Sequence, residues 1–256
     1  MIRESIKNHY IGMNREFRFR GEEPTRIETL SDAVFALAIT LLLISSSPPI
    51  TFYQLQAFTK DLIPFAICIA LISLIWYEHF IFFLRYGFRN KYIVFLNILL
   101  LFIVLFYVYP LKFLARLLVI LFTNFIHILQ HGSPHATWQE FSFMMEGGTV
   151  TQLMVIYGLG AASIFIVLAL MYRYALKKAD ELDLNEIERF DTRTSIRTNL
   201  LMASVPILSA IFALIFGETR LGQMTSGFVY FLYTPLMFTH GAMVNAARKK
   251  LLKNAE

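Results

Sequence analysis

Six hydrogen-bonding or titratable side chains lie inside strongly apolar stretches of the chain: Ser31, Asp32, Trp76, His79, Asn97 and His240, with Glu78 beside His79. A carboxylate and an imidazole in hydrocarbon have two uses. They close hydrogen bonds that lock packed helices together, or they pass a proton along a relay. Ser31, Asp32, Trp76, His79 and Asn97 are read as a hydrogen-bonded girdle, with the relay as its alternative. Glu78 faces either a water-filled crevice or a neighbouring subunit. A milder set lies close by. At 100° per residue Ala33, Leu37, Thr40, Ile44 and Ser47 share one helix face, from which Ser31 and Asp32 turn away. Thr40 is the only hydroxyl between Asp32 and Ser45. A column of modest apolar side chains carrying a hydroxyl is what a pore-lining helix presents. His127, His131 and His135 recur every four residues, a metal-ligand spacing, yet Gly132-Ser133-Pro134 breaks the helix before the third, so no metal is expected. No GxSxG, HExxH, CxxC or phosphate-cradling glycine loop occurs, which removes the usual enzyme chemistries. The TVGYG carbonyl filter is absent too.

The elements that position these residues follow from composition. Of 256 residues, 57% are hydrophobic and only 16% charged, where a soluble domain carries about 25% charged residues. The chain is therefore an all-α, polytopic membrane protein. Cys68, the single cysteine, cannot form an intrachain disulfide. Residues 25–47 form the first span: Thr25 and Glu28 make a capping box, so a helix should start at Arg26 and run to the Ser45–Pro49 stop. Five more spans are expected, at 62–84, from near Tyr92 to Pro110, and at about 150–172, 198–216 and 226–246. Prolines 206 and 235 fall inside the last two and are tolerated in buried membrane helices.

Topology comes from charge. With six spans, all but four of the 23 Lys and Arg lie on one side, the exceptions being Lys60, Lys112, Arg116 and Arg220. A seventh span at 111–129 would divide them almost evenly, against the positive-inside rule. That stretch is instead an outward extension of the third helix or a helix packed at the outer surface. Both termini are then cytoplasmic. The basic excess needs no nucleic-acid partner. Residues 1–24 form a cytoplasmic segment, amphipathic through Ile2, Ile6, Met13 and Phe17, with a flexible tail as the alternative. Residues 25–247 are the six-helix membrane domain, and 248–256 a basic tail. Residues 177–197 read as a solvated amphipathic helix linking spans four and five. Counted from the basic ends of their helices, Asp32, His79 and Asn97 lie about 9 Å deep and His240 about 12 Å.

Arg26, Leu30, Ser31 and Asp32, in the order R-x-x-x-L-S-D, resemble the R-x-x-x-F-S-D signature of the transmembrane protein 175 family of potassium channels, with Leu30 in place of the usual Phe. Trp76 and His79 match its W-x-x-H pattern, and Asn97 with Pro110 resembles its third helix. The chain carries one signature, like the prokaryotic members. The resemblance implies a homotetramer in which four copies of the first helix line the pore, with side chains as the filter. It implies that Leu37 is the apolar constriction, Thr40 the hydroxyl linked to selectivity and Ile44 the next apolar ring, and that Arg26, Ser31, Asp32, Trp76 and His79 hold the helix in place. These pore positions coincide with the face found from helical spacing.

The reading is a potassium-preferring cation channel of a bacterial inner membrane, needing no cofactor beyond its permeant K+, with the bilayer and its own copies as partners. An ion- or proton-coupled secondary transporter using Asp32 and His79 is the alternative, although such folds usually carry internal repeats, and none is visible here. A scaffold without transport is a third. Cysteine labelling in intact cells tests the topology: both termini and positions near Arg89 and Asn185 should be protected, and Ser133 labelled from outside. Outside labelling of the C-terminus would mean that 111–129 crosses the membrane.

Overall fold

Among the described residues, five helices begin where a Thr or Asn side chain accepts a hydrogen bond from the backbone N–H three residues on: Thr25, Thr51, Asn90, Thr149 and Asn185. Each cap satisfies one of the donors that a first helical turn leaves open. Two helices end on a left-handed glycine, Gly87 at φ 59° and Gly132 at φ 69°. The second of these stops the helix at His131, as the Gly-Ser-Pro break requires. The computed structural model describes residues 17–21, 23–44, 50–132, 137–146, 149–217, 219 and 226–255. In chain order the helices are α1 (Arg26–Ile44), α2 (Phe52–Lys60), α3 (Leu62–Tyr86), α4 (Lys91–His131), α5 (Thr137–Met144), α6 (Val150–Lys177), α7 (Glu186–Phe216) and α8 (Tyr233–Ala255), the last preceded by a 3-10 turn, Val229–Leu232. There is no strand among the described residues.

Five helices are long and apolar enough to cross a membrane: α1, α3, α4, α6 and α7. α8 is long enough, but its second half carries Arg248, Lys249, Lys250 and Lys253. The stretch expected as a sixth span, 226–246, is not one uninterrupted α-helix. Pro235 has no N–H for the carbonyl of Phe231, and the chain is wound as 3-10 just before it. The basic C-terminal residues continue α8.

Two expectations are corrected and one choice is decided. α4 runs for 41 residues through Pro110, so of the two readings of 111–129 the extension of the third helix holds. The Pro110 carbonyl accepts from the Tyr157 hydroxyl. The 177–197 segment is not a separate linking helix. A turn occupies 178–183, and the Asn185–Glu188 capping box then starts a helix that continues without a break into the apolar part of α7. Phe17–Gly21, expected within an amphipathic helix, is non-helical; the rest of that expectation, residues 1–16, lies outside the described residues.

The core fills the space between α1, α3, α4 and α6. Phe35, Ala38 and Leu42 of α1 meet Cys68 and Ile72 of α3, Leu100 and Val104 of α4, and Leu168 of α6. α6 approaches its neighbours through glycines. A Cβ on Gly158 would lie 2.6 Å from the Pro206 carbonyl oxygen of α7, and one on Gly160 would meet the Tyr107 ring of α4 at 1.9 Å. Hydrogen atoms are the largest substituents these contacts admit.

The end of the bundle holding most of the basic residues, here the basic end, is crossed by Phe17–Gly21. Its backbone N–H groups at Arg20 and Gly21 donate to the carbonyls of Arg85 and Leu84. Glu188, fully buried on the charged first turns of α7 and outside that helix's apolar stretch, accepts from Arg18 at 3.0 Å and Arg20 at 2.9 Å. Burial pushes its carboxyl up, but hydrogen bonds from Arg20, Arg18 and the backbone outweigh this and hold it down to about 2. Its stabilising contribution is thus present above the ordinary carboxylate range and fades only as pH falls toward about 2. Glu188→Gln should cost about 3–5 kcal/mol, because it leaves the half-buried Arg20 guanidinium without its counter-charge. Glu181→Gln, whose partner Lys178 is a surface side chain, should leave the stability unchanged. Thermal unfolding of both variants in detergent makes the comparison.

Candidate functional site

α1 starts at Arg26 because Thr25 and Glu28 cap each other: the Thr25 N–H donates to Glu28 Oε1 at 3.0 Å, and the Glu28 N–H to Thr25 Oγ1 at 3.3 Å. From there the helix has two faces. Glu28, Ser31, Phe35, Ala38 and Leu42 are buried. Ala33, Leu37, Thr40 and Ile44 are open on the chain's surface, with Leu37 48% and Ile44 68% exposed. At 100° per residue the two sets are centred about 180° apart. Ser47 lies outside the described residues.

The buried face is tied down by a directional chain of hydrogen bonds. Asn97 of α4 presents its amide oxygen to His79 Nε2 of α3 at 2.7 Å, so Nε2 carries the proton. The Asn97 amide nitrogen donates to Ser31 Oγ of α1 at 2.9 Å. Ser31 in turn donates to the Ile27 carbonyl at 2.8 Å. His79, Asn97 and Ser31 are all buried, and the imidazole packs between the Phe35 and Phe83 rings. A separate tie runs at the edge of the same layer: Trp76 Nε1 donates to Asp32 Oδ1 at 2.8 Å, and the indole stacks on Phe80.

The five expected girdle residues are thus brought together, though in two strands rather than one. Asp32 bonds Trp76 and not His79. His240, placed in the same layer by depth, belongs to α8, and its Nε2 makes no hydrogen bond among the described residues. Arg26 is exposed and makes no ion pair among the described residues. Leu30 is half exposed on the helix surface.

Two features were not foreseen. Lys112 of α4 donates through Nζ to the Leu42 carbonyl at 3.0 Å. α1 ends two residues later, so an ammonium caps carbonyls that have no intrahelical partner and sits at the negative end of the helix dipole. The signal was present, a Lys near one helix terminus, but its partner is 70 residues distant in sequence. Thr40 donates its hydroxyl proton to the Ala36 carbonyl at 2.9 Å, which leaves the oxygen lone pairs pointing away from the helix.

The sequence profile of the family described as "Endosomal/lysosomal potassium channel TMEM175" matches residues 26–107, which hold α1, α2, α3, the girdle residues and the first part of α4. A protein of Marivirga tractuosa named "Potassium channel" is 50% identical over 95% of this chain and 97% of its own length. The chain belongs to the TMEM175 family of potassium channels. A crystal structure of the potassium channel MtTMEM175, determined as a threonine-to-alanine variant bound to a nanobody–MBP fusion, shares 48% identity with it. It superimposes at a TM-score of 0.78, over 92% of this chain and 100% of that one. This TMEM175 chain is a multi-pass, all-helical membrane protein.

Asn97→Ala removes the one group that reaches both His79 and Ser31, and should cost more stability than Trp76→Phe. At about 1–3 kcal/mol for each buried group left unsatisfied, the difference is visible in unfolding midpoints of the purified protein. Equal losses would place the weight of the layer on Asp32 and Trp76.

Proposed function

We propose that this TMEM175 chain is a potassium-preferring cation channel of the bacterial inner membrane, with a pore lined by side chains of α1 in a homotetramer. The observation that carries this reading is the division of α1. One face is tied to α3 and α4 by the Ser31–Asn97–His79 chain, and the opposite face, with Ala33, Leu37, Thr40 and Ile44, is left uncovered by the rest of the chain. A helix anchored from behind and bare in front meets lipid, further copies of itself or an aqueous path, and the family membership together with the Thr40 hydroxyl on that face favours the last two.

In a four-fold ring, Leu37 is the narrow apolar level that resists wetting, and Ile44 is a wider one beyond it. Thr40 supplies oxygens that replace part of the hydration of a cation. Its bond to the Ala36 carbonyl is the one that a lipid-facing threonine also makes; it is compatible with the filter role because the oxygen keeps its lone pairs. Ser31, Asp32, Trp76, His79 and Asn97 position the helix, whereas Arg26 and Leu30 continue the uncovered face toward its start. The basic end is cytoplasmic by the positive-inside rule, with both termini there and the 226–246 region making the sixth crossing. A proton-coupled transporter has less support: the carboxylate of Asp32 and the imidazole of His79 are not bonded to each other, and the nearest partner of His79 is an amide that cannot titrate.

Thr40→Ala should lower the potassium-over-sodium permeability ratio while the protein still assembles and conducts, read as a shift of the bi-ionic reversal potential in planar bilayers. Leu37→Ala should raise conductance by widening the constriction. A Thr40→Ala reversal potential equal to that of wild type removes this face of α1 from the filter.

A further inference from the structure

At the basic end α3, α6 and α7 enclose a cavity of about 170 Å³, bounded by Glu78, Arg85, Tyr172, Thr194, Ser195 and Asn199 among others. Its wall holds two buried donors without hydrogen-bond partners, and a carboxylate, Glu78, that forms no ion pair with either. Arg85 is only 9% exposed. Its Nη1 donates to Ser195 Oγ at 3.3 Å, but its Nε has no partner, and it forms no ion pair among the described residues. The Phe17 ring lies 4.7 Å from the guanidinium carbon, a contact that favours a cation but supplies no counter-ion. Tyr172 is fully buried, and its hydroxyl, set beside Ser195, makes no hydrogen bond of ordinary geometry. A guanidinium cannot shed its proton to escape burial, and a charge taken out of water needs a partner of opposite sign.

We propose that this cavity binds an oxyanion, the phosphate group of a membrane lipid or free inorganic phosphate, on Arg85, Tyr172 and Ser195. The three donors converge on one end of the space. The Thr194 hydroxyl is already given to the Phe190 carbonyl, so it offers lone pairs rather than a proton. Glu78 lies seven residues before Arg85, about 10 Å along α3. It lies about two turns from Arg85 on the same face of α3 and lines the same cavity, but no ion pair joins the two, so the guanidinium keeps donors for a ligand. At about 30 Å³ for each water, the space holds a phosphate group with part of its hydration. Arg85 stands in the last turn of α3, the level at which lipid head groups meet a membrane helix. The backbone carbonyl of Arg85 holds the Arg20 N–H, so Phe17–Gly21 stays bonded to the end of α3 whatever the guanidinium, which lies against the Phe17 ring, engages.

The test uses full-length protein, delipidated in detergent. The first arm compares unfolding midpoints in sodium phosphate and in sodium chloride at matched ionic strength. The second reads lipid adducts by native mass spectrometry after reconstitution in phosphatidylcholine vesicles with and without phosphatidylglycerol. Wild type should show a phosphate-dependent rise in midpoint, a retained lipid adduct, or both. A rise without an adduct identifies free phosphate as the ligand, and an adduct without a rise identifies a lipid. Tyr172→Phe deletes only an unpartnered hydroxyl, so it should fold and bind about tenfold more weakly; Ser195→Ala should do the same, and Arg85→Gln should abolish binding. Should Arg85→Gln fail to fold, the other two variants still decide. If neither midpoint nor adduct distinguishes wild type from Tyr172→Phe and Ser195→Ala, the cavity holds water alone and the proposal is overturned.

Discussion

The hydrogen bonds of Asn97 are the interaction on which the arrangement of α1 depends. An amide inside hydrocarbon has no water to turn to, so a partner lost there is not replaced. Asn97 makes its two bonds at once, one to His79 on α3 and one to Ser31 on α1. Three helices are thereby fixed in register at a single point. Apolar packing alone gives no such register, since lipid tails solvate Leu and Phe as well as a neighbouring helix does. Phe35, Ala38 and Leu42 fill the space behind α1, but the amide decides which face of α1 they occupy.

The basic end shows the same logic with charges. Glu188 is buried between Arg18 and Arg20, and the segment that carries these arginines leads through Pro24 and Thr25 directly into α1. The α6–α7 turn takes part through the Leu182 and Asp183 carbonyls, which accept from Arg20. The N-terminal segment is therefore a tether between α7, the end of α3 and the start of α1. Its grip is electrostatic where water reaches, and purely geometric where Gly21 passes the Phe83 carbonyl, a place at which a Cβ would meet that oxygen at 2.3 Å.

Much of this was legible in the residues, and the parts that were not share a cause. The capping box of Thr25 and Glu28 fixed the start of α1, because a cap is a local interaction. The polar residues of the membrane layer were found because each is conspicuous in apolar surroundings, and depth counting placed Asp32, His79 and Asn97 on one level. Their pairing was not readable, since depth carries no azimuth; hence the division into two strands and the separation of His240. Glu188 and Asp191 were hidden in a segment that mixes both signs of charge, where composition describes solvated and buried ion pairs equally well. Their partners Arg18 and Arg248 lie 170 and 57 residues away. The continuity of α4 through Pro110 was obscured because a proline marks a lost hydrogen bond, not the end of a helix that its neighbours support.

Three polar grips hold α1, two of them from α4: Asn97 holds Ser31 near one end, where Trp76 of α3 also holds Asp32, and Lys112 holds Leu42 near the other. Between Asp32 and Leu42 no side-chain hydrogen bond joins α1 to another helix among the described residues, only the apolar contacts of Phe35 and Ala38. Mechanically this is a beam clamped at both ends and cushioned between them. Such a beam yields least at its supports and most at mid-span. Leu37 is five residues from Asp32 and five from Leu42, so in the tetramer proposed above the level at which four leucines close together is also the level of α1 farthest from its polar supports.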